Sequence, residues 1–460
     1  MNMYKIFFLF ILISITDVFS QEIPNEFYQF HSIKLKADAG SDWSKNSTFG
    51  PVRNQNSITG NDSLKIISRL GSSIKTDGIN LYGYGHFSFQ SNFYGYLYSH
   101  VVTDSDAFER YSGINRDIKR GGFSSGETDL SGIGYQNNWM ILQFGRGRQS
   151  WGAGNDIQLA TSENSSSYDY GMLDLDFGKL RTRYFHGYLE TDSLLTNRYI
   201  TGRGIEWNNQ RSLIIGLSEI VIYSGIGRSL DFSFLNPIST HLEIELNERQ
   251  NNIDTGSGNG VWQISIDWLM RPNIRLSSNY LFDEVILDRV QKKAGKGNGQ
   301  ASSFKLALSP INNETSIFTL YTSYISVGTH TFRHEHGSNN FVQRKKPLGW
   351  TIGSDSKEIK IGANLLLYEM VIANLELGYQ ILGEKNIIES LYQPYSDYLD
   401  GPFPSGDLKK RLSTSGRLQW WIKKKFSILT NFEYVVSEAN ISELNFNVGI
   451  DIYFKTDSLL

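Results

Sequence analysis

Leu444-Asn445-Phe446-Asn447-Val448-Gly449-Ile450-Asp451-Ile452-Tyr453-Phe454, near the end of the chain, alternates without a break. Leu444, Phe446, Val448, Ile450, Ile452 and Phe454 share one face, while Asn445, Asn447, Gly449, Asp451 and Tyr453 share the other. A period of two is the mark of a β-strand, whose successive side chains point to opposite sides. This strand has one apolar and one wet face, and its length of about ten residues is what a tilted strand needs to cross a bilayer.

The same pattern runs backwards through the chain. Phe426, Ile428, Thr430, Phe432, Tyr434 and Val436 share a face against Ser427, Asn431 and Glu433, and Val371, Ala373, Leu375, Leu377, Tyr379 and Ile381 oppose Asn374, Glu376 and Gln380. Similar runs begin near residues 64, 78, 92, 129, 138, 170, 179, 199, 212, 261, 273, 301, 315, 358 and 410. No helix of comparable quality stands among them, and neither a linker nor a helical repeat divides the chain.

Outer-membrane barrels alternate short periplasmic turns with long external loops. With the end of the last strand in the periplasm, Lys423-Lys424-Lys425, Tyr368-Glu369-Met370, Pro310 to Glu314, Arg271-Pro272-Asn273, Phe177-Gly178-Lys179, Gln136-Asn137-Asn138 and Gln90-Ser91-Asn92 all fall inside as tight turns. Residues 437–442, 384–409, 328–357, 284–300, 147–169 and 104–128 fall outside, and most of these stretches are long. The expected fold is therefore all-β: a transmembrane antiparallel β-barrel of about 18 strands, or 20 if 228–248 forms a barrel hairpin around Asn236-Pro237. It carries long extracellular loops and a short N-terminal periplasmic segment. A soluble all-β protein also alternates, because one sheet face is buried. Strand length, loop asymmetry and only nine prolines favour the barrel.

Composition agrees with this reading. The 460 residues include 43 Gly, 25 Tyr, 27 Phe and no Cys, which excludes a disulfide framework and thiolate metal sites. Lys+Arg 44 against Asp+Glu 47 gives a net charge of −3, without the basic excess of a nucleic-acid binder. A mean hydropathy of −0.32 excludes a helical membrane protein but not a barrel, which shows lipid only half of its strand residues.

At the N-terminus, Met1 to Lys5 carries one positive charge, Ile6 to Ile15 is apolar apart from Ser14, and Val18-Phe19-Ser20 ends in small residues at the positions a signal peptidase reads. Residues 1–20 are expected to be a secretory signal peptide cleaved after Ser20, which directs the chain to the outer membrane of a Gram-negative bacterium. Residues 21–63 would be a periplasmic segment, 64–454 the barrel and 455–460 a tail. Asn447, Gly449, Ile452 and Phe454 fit the polar-x-Gly-x-x-hydrophobic-x-aromatic ending that resembles the signal read by the outer-membrane assembly machinery.

Three segments are less repetitive than a plain barrel requires. They are Phe144-Gly145-Arg146-Gly147-Arg148-Gln149-Ser150-Trp151-Gly152-Ala153-Gly154, then Arg203-Gly204-Ile205-Glu206-Trp207, then Gly216-Leu217-Ser218-Glu219-Ile220-Val221-Ile222-Tyr223 followed by Phe234-Leu235-Asn236-Pro237. Together and in this order, over about residues 135–290, the chain resembles the capsule assembly Wzi family. That resemblance implies an eighteen-strand outer-membrane lectin that anchors capsular polysaccharide, is not an enzyme and needs no cofactor. Family members carry a periplasmic helical bundle. Residues 22–63 here, with Pro24, Pro51 and scattered Gly, Asn and Ser, read poorly as helices.

Several side chains could carry glycan chemistry. Trp151 lies in a Gly-rich loop assigned outside, where an indole can stack on a sugar ring, and Arg146 and Arg148 can fork onto a uronate or phosphate. The alternative is that these arginines face the lumen and pair with carboxylates such as Glu206 and Glu219, in a network with Arg203 and Tyr223. Loop 384–409 carries Tyr392, Tyr395, Tyr398, Asp397 and Asp400, suited either to carbohydrate contact or to an aromatic girdle. His330, His334 and His336 beside Glu335 are a candidate metal cluster without a fourth defined ligand. The basic run Arg344-Lys345-Lys346 would meet lipopolysaccharide phosphates or an acidic polymer. Neither a Gly-x-Ser-x-Gly elbow nor a zinc-binding helix occurs, and the one strand histidine of the motif region, His186, has no obvious serine partner. A monomeric polysaccharide-binding barrel is the expectation, with a porin or substrate-specific diffusion channel as the alternative.

Overall fold

The computed structural model describes residues 38–39, 46–50, 63–90, 92–108, 111–251, 258–284, 286, 288–368, 370–394, 399–423, 426–438 and 442–459. Its first strands are β1 Ser63–Lys75, β2 Gly78–Phe89, β3 Phe93–Val102, β4 Ser125–Gln136, β5 Met140–Gly147, β6 Tyr168–Asp176 and β7 Leu180–Thr191. There follow β8 Thr196–Asn208, β9 Leu213–Ile226, β10 Asn259–Arg271, β11 Ile274–Glu284, β12 Gly299–Asn312 and β13 Ser316–Val327. A small hairpin of β14 Val342–Gln343 and β15 Lys346–Pro347 precedes β16 Ser356–Leu367, β17 Val371–Leu382, β18 Lys409–Lys423, β19 Phe426–Ser437 and β20 Ser442–Leu459. Apart from β14 and β15, the strands form one 18-stranded sheet in which each pairs antiparallel with its neighbours.

The sheet closes on itself. β1 pairs with β2 along one edge and with β20 along the other, from Ser63↔Leu459 to Lys75↔Asn447. Closure leaves no unpaired edge in the ladder, the condition for a sheet to sit in hydrocarbon. β20 continues to Leu459, so residues expected as a tail extend the closing strand.

The side chains are arranged inside out compared with a soluble protein. On β12, Phe304, Leu306 and Leu308 are exposed, while Lys305 between them is buried. On β10, Ile264, Ile266 and Trp268 are exposed, and Asp267 is buried with Arg275 of β11, Nε to Oδ1 2.7 Å. Apolar residues outward and paired charges inward mean that the outer surface meets lipid and the polar face lines the lumen.

Connections at one end of the barrel are short, such as 90–92, 177–179, 272–273 and 368–370. The other end carries 103–124, 148–167, 227–258, 285–298, 328–355 and 383–408. The long-loop end corresponds to the external end of an outer-membrane barrel.

The strand count is eighteen, and 228–248 forms no barrel hairpin. This stretch belongs to the connection 227–258, which carries a short helix, α1 His241–Leu246, capped by Thr240. Local ion pairs, Arg228 to Asp231 at 3.0 Å and Arg249 to Glu243, fold it compactly. Its Phe234 and Ile244 are buried against Tyr199, Val221 and Tyr223, which share strand parity with the exposed Ile205, Trp207, Ile215 and Leu217, so the connection folds over the outer face of the wall near its external end. Residues 1–20 and most of 21–63, on which the leader and the question of a helical bundle rest, lie outside the described residues.

Leu306 sits mid-strand on the lipid face. Leu306→Arg is expected to cost about 2–4 kcal/mol of membrane folding free energy, the value for a cation near the bilayer midplane. Reversible folding into phospholipid vesicles, compared with the wild type, measures this loss.

Candidate functional site

The external loops do not simply project from the barrel. After β5 the chain turns into the lumen, and two arginines fasten the returning segment to the wall. Arg148 makes a buried fork on Asp129 of β4, Nη1 to Oδ2 2.9 Å, and reaches the Ser165 carbonyl. Arg146 donates to the Thr128 carbonyl at 2.9 Å and to the Asp169 carboxylate at 3.2 Å. Both arginines therefore pair with carboxylates of adjacent strands, in place of Glu206 and Glu219.

Trp151 is fully buried, its ring 4.9 Å from Phe49 and 5.1 Å from Phe185, and its indole N–H donates to Gln149 Oε1 at 3.1 Å. A tryptophan expected to offer a face to sugar is instead the centre of an apolar cluster inside the barrel. The reason is topological: its loop starts at the external end but folds inward.

From the other end of the chain, residues 46–50 meet this loop. Glu206 accepts from Thr48 N at 2.7 Å, Thr48 Oγ1 at 2.8 Å and Ser47 Oγ at 3.0 Å. Thr48 in turn accepts from Gly152 N at 2.7 Å. Asp38 pairs with Lys305 at 3.0 Å and accepts from Asn155 at 3.0 Å. The other lumen candidates, Arg203, Glu219 and Tyr223, instead take the outward parity of β8 and β9, where the connection 227–258 covers them. Arg203 pairs with Glu219 at 3.2 Å, Glu219 also pairs with His241 of α1 at 2.7 Å, and Tyr223 stacks on Phe234 at 4.4 Å. The hydroxyl of Tyr223 is 3.0 Å from His186 Nε2.

The connection 328–355 lies over this plug. Trp350 N donates to the Leu159 carbonyl at 3.0 Å and Ser162 N to the Leu348 carbonyl at 2.9 Å. A Cβ on Gly349 would stand 1.7 Å from the Leu159 oxygen, so only glycine permits this crossing. Arg198 of β8, wholly buried, donates to the carbonyls of Val342 and Asn340 at 2.8 Å each and pairs with Glu190 at 2.8 Å. Tyr392 of the connection 383–408 covers this clamp: its hydroxyl donates to Glu190 at 2.6 Å, and its ring lies under the Arg198 guanidinium at 5.1 Å. Burial raises the Tyr392 phenol above the ordinary tyrosine value, which keeps its proton on and the bond to Glu190 intact. Tyr392 is thus a structural clasp. Tyr395 and Tyr398 lie outside the described residues.

Where loops 285–298, 328–355 and 383–408 meet, the external rim holds a cleft of about 390 Å³ lined by Asn298, Gln300, His330, Glu384, Asp400 and Phe403. Amides, carboxylates, an imidazole and an aromatic ring are groups that grip hydroxylated ligands. The histidine triplet does not converge. His330 faces the cleft, His334 and His336 lie elsewhere on their loop, and no group of three or more His, Asp or Glu that could hold a metal ion occurs among the described residues. The basic run sits on the β14–β15 turn, where Arg344 and Lys345 both adopt positive φ, 44° and 65°. Arg344 donates to the Ser112 carbonyl and Lys346 to the Tyr111 carbonyl, each at 3.0 Å, so two of the three cations serve loop packing and, of the three, Lys345 alone is exposed.

No protein-family model matches this sequence, and no curated protein matches it. Solved structures do. Escherichia coli Wzi, an outer-membrane protein involved in group 1 capsule assembly and described as a carbohydrate-binding β-barrel, matches with a TM-score of 0.66 at 12% identity, over 94% of this chain and 99% of its own. The chain has the fold of Wzi. Pseudomonas aeruginosa OprD covers 90% of the chain and 98% of its own at 11% identity and a TM-score of 0.45. Acinetobacter baumannii OccAB4 covers 87% and 100% at 8% identity and a TM-score of 0.46.

Sequence reasoning missed Arg198 and Asp129. Both lie on lumen-facing positions of strands, a parity that marks a charge as interior but says nothing of its partner: Arg148 follows the neighbouring strand, and the carbonyls that Arg198 meets come from a distant loop. Arg198→Ala is expected to leave Glu190 without its cation and three carbonyls without a donor, a loss of about 3–5 kcal/mol. Limited proteolysis of the purified protein should then cut within 328–355 and 383–408, where the wild type resists.

Proposed function

We propose that this protein resides in the outer membrane, after export directed by residues 1–20, and binds and retains a surface polysaccharide on its long-loop face. One observation carries the reading: the lumen is crossed by residues 46–50, 148–167 and 328–355, which are tied to the wall and to one another. A diffusion channel needs a bore, and material packed across the lumen turns the barrel into a pedestal for its loops. The rim cleft supplies amides, carboxylates and an aromatic face of the kind that sugars engage. Wzi, whose fold this is, is itself described as carbohydrate-binding. The reading is non-enzymatic, since His186 bonds to the hydroxyls of Tyr223 and Tyr184 rather than to a serine.

The test is made on cells. Deleting the gene should move most surface polysaccharide from the cell-bound to the released fraction, and plasmid-borne wild type should restore it. The Phe403→Ala, Asp400→Asn pair should restore it only partly while reaching the surface normally. A cell-bound fraction unchanged by the deletion would remove this reading.

In planar bilayers the wild-type barrel should pass little current. Trp151→Ala, which removes the centre of the plug at a cost of about 3–5 kcal/mol, should raise that current. A wild type conducting as freely as an open porin would favour the diffusion-channel alternative.

A further inference from the structure

The plug does not fill the barrel evenly. It packs against the wall from β4 to β13, whereas the wall from β17 through β20 to β3 borders a cavity of about 520 Å³, within the range of small-molecule sites. Strand register places a row of polar residues around this wall. Asn364 pairs across to Asn374, Asn374 to Arg417, Arg417 to Asn431, Asn431 to Asn447, and Asn447 to Lys75. A second row, Glu376, Ser415, Glu433 and Asn445, runs beside it.

These positions point inward, because their neighbours Leu375, Leu418, Phe432 and Phe446 are exposed on the lipid face. Directly paired residues stand about 4.5–5.5 Å apart, so the row offers carboxamides at regular intervals, with Arg417 among them and Lys75 at its end. The row climbs the barrel, since hydrogen-bonded neighbours in a tilted sheet rise from one strand to the next. Its lower end meets the plug at Asp38, 3.5 Å from Asn364. Its upper end reaches Lys75, where Phe108 and Tyr111 line the cavity.

Two features of this wall point to a ligand. First, the side-chain oxygens of Asn431, Asn447 and Asn80 are buried and accept no hydrogen bond among the described residues. Buried acceptors are normally satisfied, and these three line one cavity. Second, the lining combines groups that both donate and accept with ring faces, Tyr82 and Tyr98 at 5.5 Å and Tyr111 beyond them. A carboxamide presents two donors and an acceptor, matching the dual character of a sugar hydroxyl, and an aromatic ring matches the C–H face of a pyranose.

The charge pattern narrows the class. Of the lining acids, Asp129 is held by Arg148 and Glu376 by Lys360 at 3.1 Å, so neither presents an uncompensated charge. Lys75, Arg417 and Glu433 are of mixed sign, which gives a polyanion no concentrated positive field. We propose that this half of the lumen is a saccharide site that takes a neutral mono- or oligosaccharide along Asn374, Asn431 and Asn447. The site is separate from the rim cleft and does not rest on the polysaccharide-retention reading.

The detergent-purified full chain is titrated by calorimetry with maltotriose and chitotriose, and with trigalacturonate as the charged control. At least one neutral trisaccharide should bind saturably, and trigalacturonate at least tenfold more weakly. Asn431→Leu with Asn447→Leu should weaken binding tenfold or more. Asn445→Trp, at an exposed position where an added ring fills the cavity without disturbing packing, should do the same while heat-modifiable gel migration shows an intact barrel. The proposal is overturned if neither neutral sugar binds, if trigalacturonate binds best, or if folded Asn445→Trp binds like the wild type. These outcomes are independent of where cells keep their polysaccharide.

Discussion

The pairing of β1 with β20 is the constraint on which everything else depends. In hydrocarbon an unpaired backbone N–H or C=O has no water to turn to, so the sheet must close completely or not insert. Thirteen residue pairs, from Ser63↔Leu459 to Lys75↔Asn447, join the two ends of the chain in that seam. Closure then fixes side-chain parity around the whole circumference. With one register set, Lys305, Asp267 and Asp451 must all point inward, and Leu306, Ile266 and Ile450 outward. A slip of one residue would turn each buried charge onto lipid.

Once closed, an eighteen-strand circle encloses more space than its wall side chains can fill, and the chain fills it with its own loops. Around β4 to β13 the contents resemble the core of a soluble protein, with Trp151, Phe49, Phe185, Leu159 and Phe341 in one apolar cluster. Hydrophobic residues that would be aggregation hazards on the outside are thereby used twice over: the wall meets lipid, and the plug makes its own core. Polar wall residues facing the plug find partners in it, as Asn279 does with Ala153 and Ser303 with Ile157. On the opposite wall the side-chain oxygens of Asn431 and Asn447 find no such partner among the described residues.

Much of this was legible in the sequence. Every barrel-strand start lies within four residues of its expected place, since a period of two with apolar residues on one face is set by lipid and needs no tertiary knowledge, whereas β14 and β15 within a loop leave no such pattern. Of the four residues expected in a lumen network, Glu206 takes the inward parity, whereas Arg203, Glu219 and Tyr223 take the outward one and are buried by the connection 227–258, a cover that the strand pattern does not reveal. What could not be read was the direction of the loops. Trp151 in a glycine-rich external connection looks the same whether the loop projects outward or folds inward, because the deciding contacts, Phe49 and Phe185, lie about a hundred and about thirty residues away. The partners of Arg146 and Arg148 were misjudged for a related reason. Candidate carboxylates on the motif strands drew attention, while the nearer ones, Asp129 and Asp169, sit on paired neighbours β4 and β6.

The anchoring of the plug bears on whether it is a gate or a fixture. It is tied to the wall at separate places: Arg148 with Asp129, Glu206 with Thr48, Asp38 with Lys305, and Arg198 with the carbonyls of 338–342. Breaking one buried charged contact typically costs about 3–5 kcal/mol. A movement that opened the bore would have to release at least two together, or about 6 kcal/mol and more. At about 1.4 kcal/mol per decade, fewer than roughly one molecule in ten thousand would be open at any moment. Glycines at the crossings strengthen the point. Gly349 against Leu159 and Gly337 against Tyr392 bring backbone onto backbone, where the loops interlock and cannot slide. A barrel held shut this firmly resembles a rigid mount for its external loops, and a ligand that enters it meets the wall that the described plug residues leave uncovered.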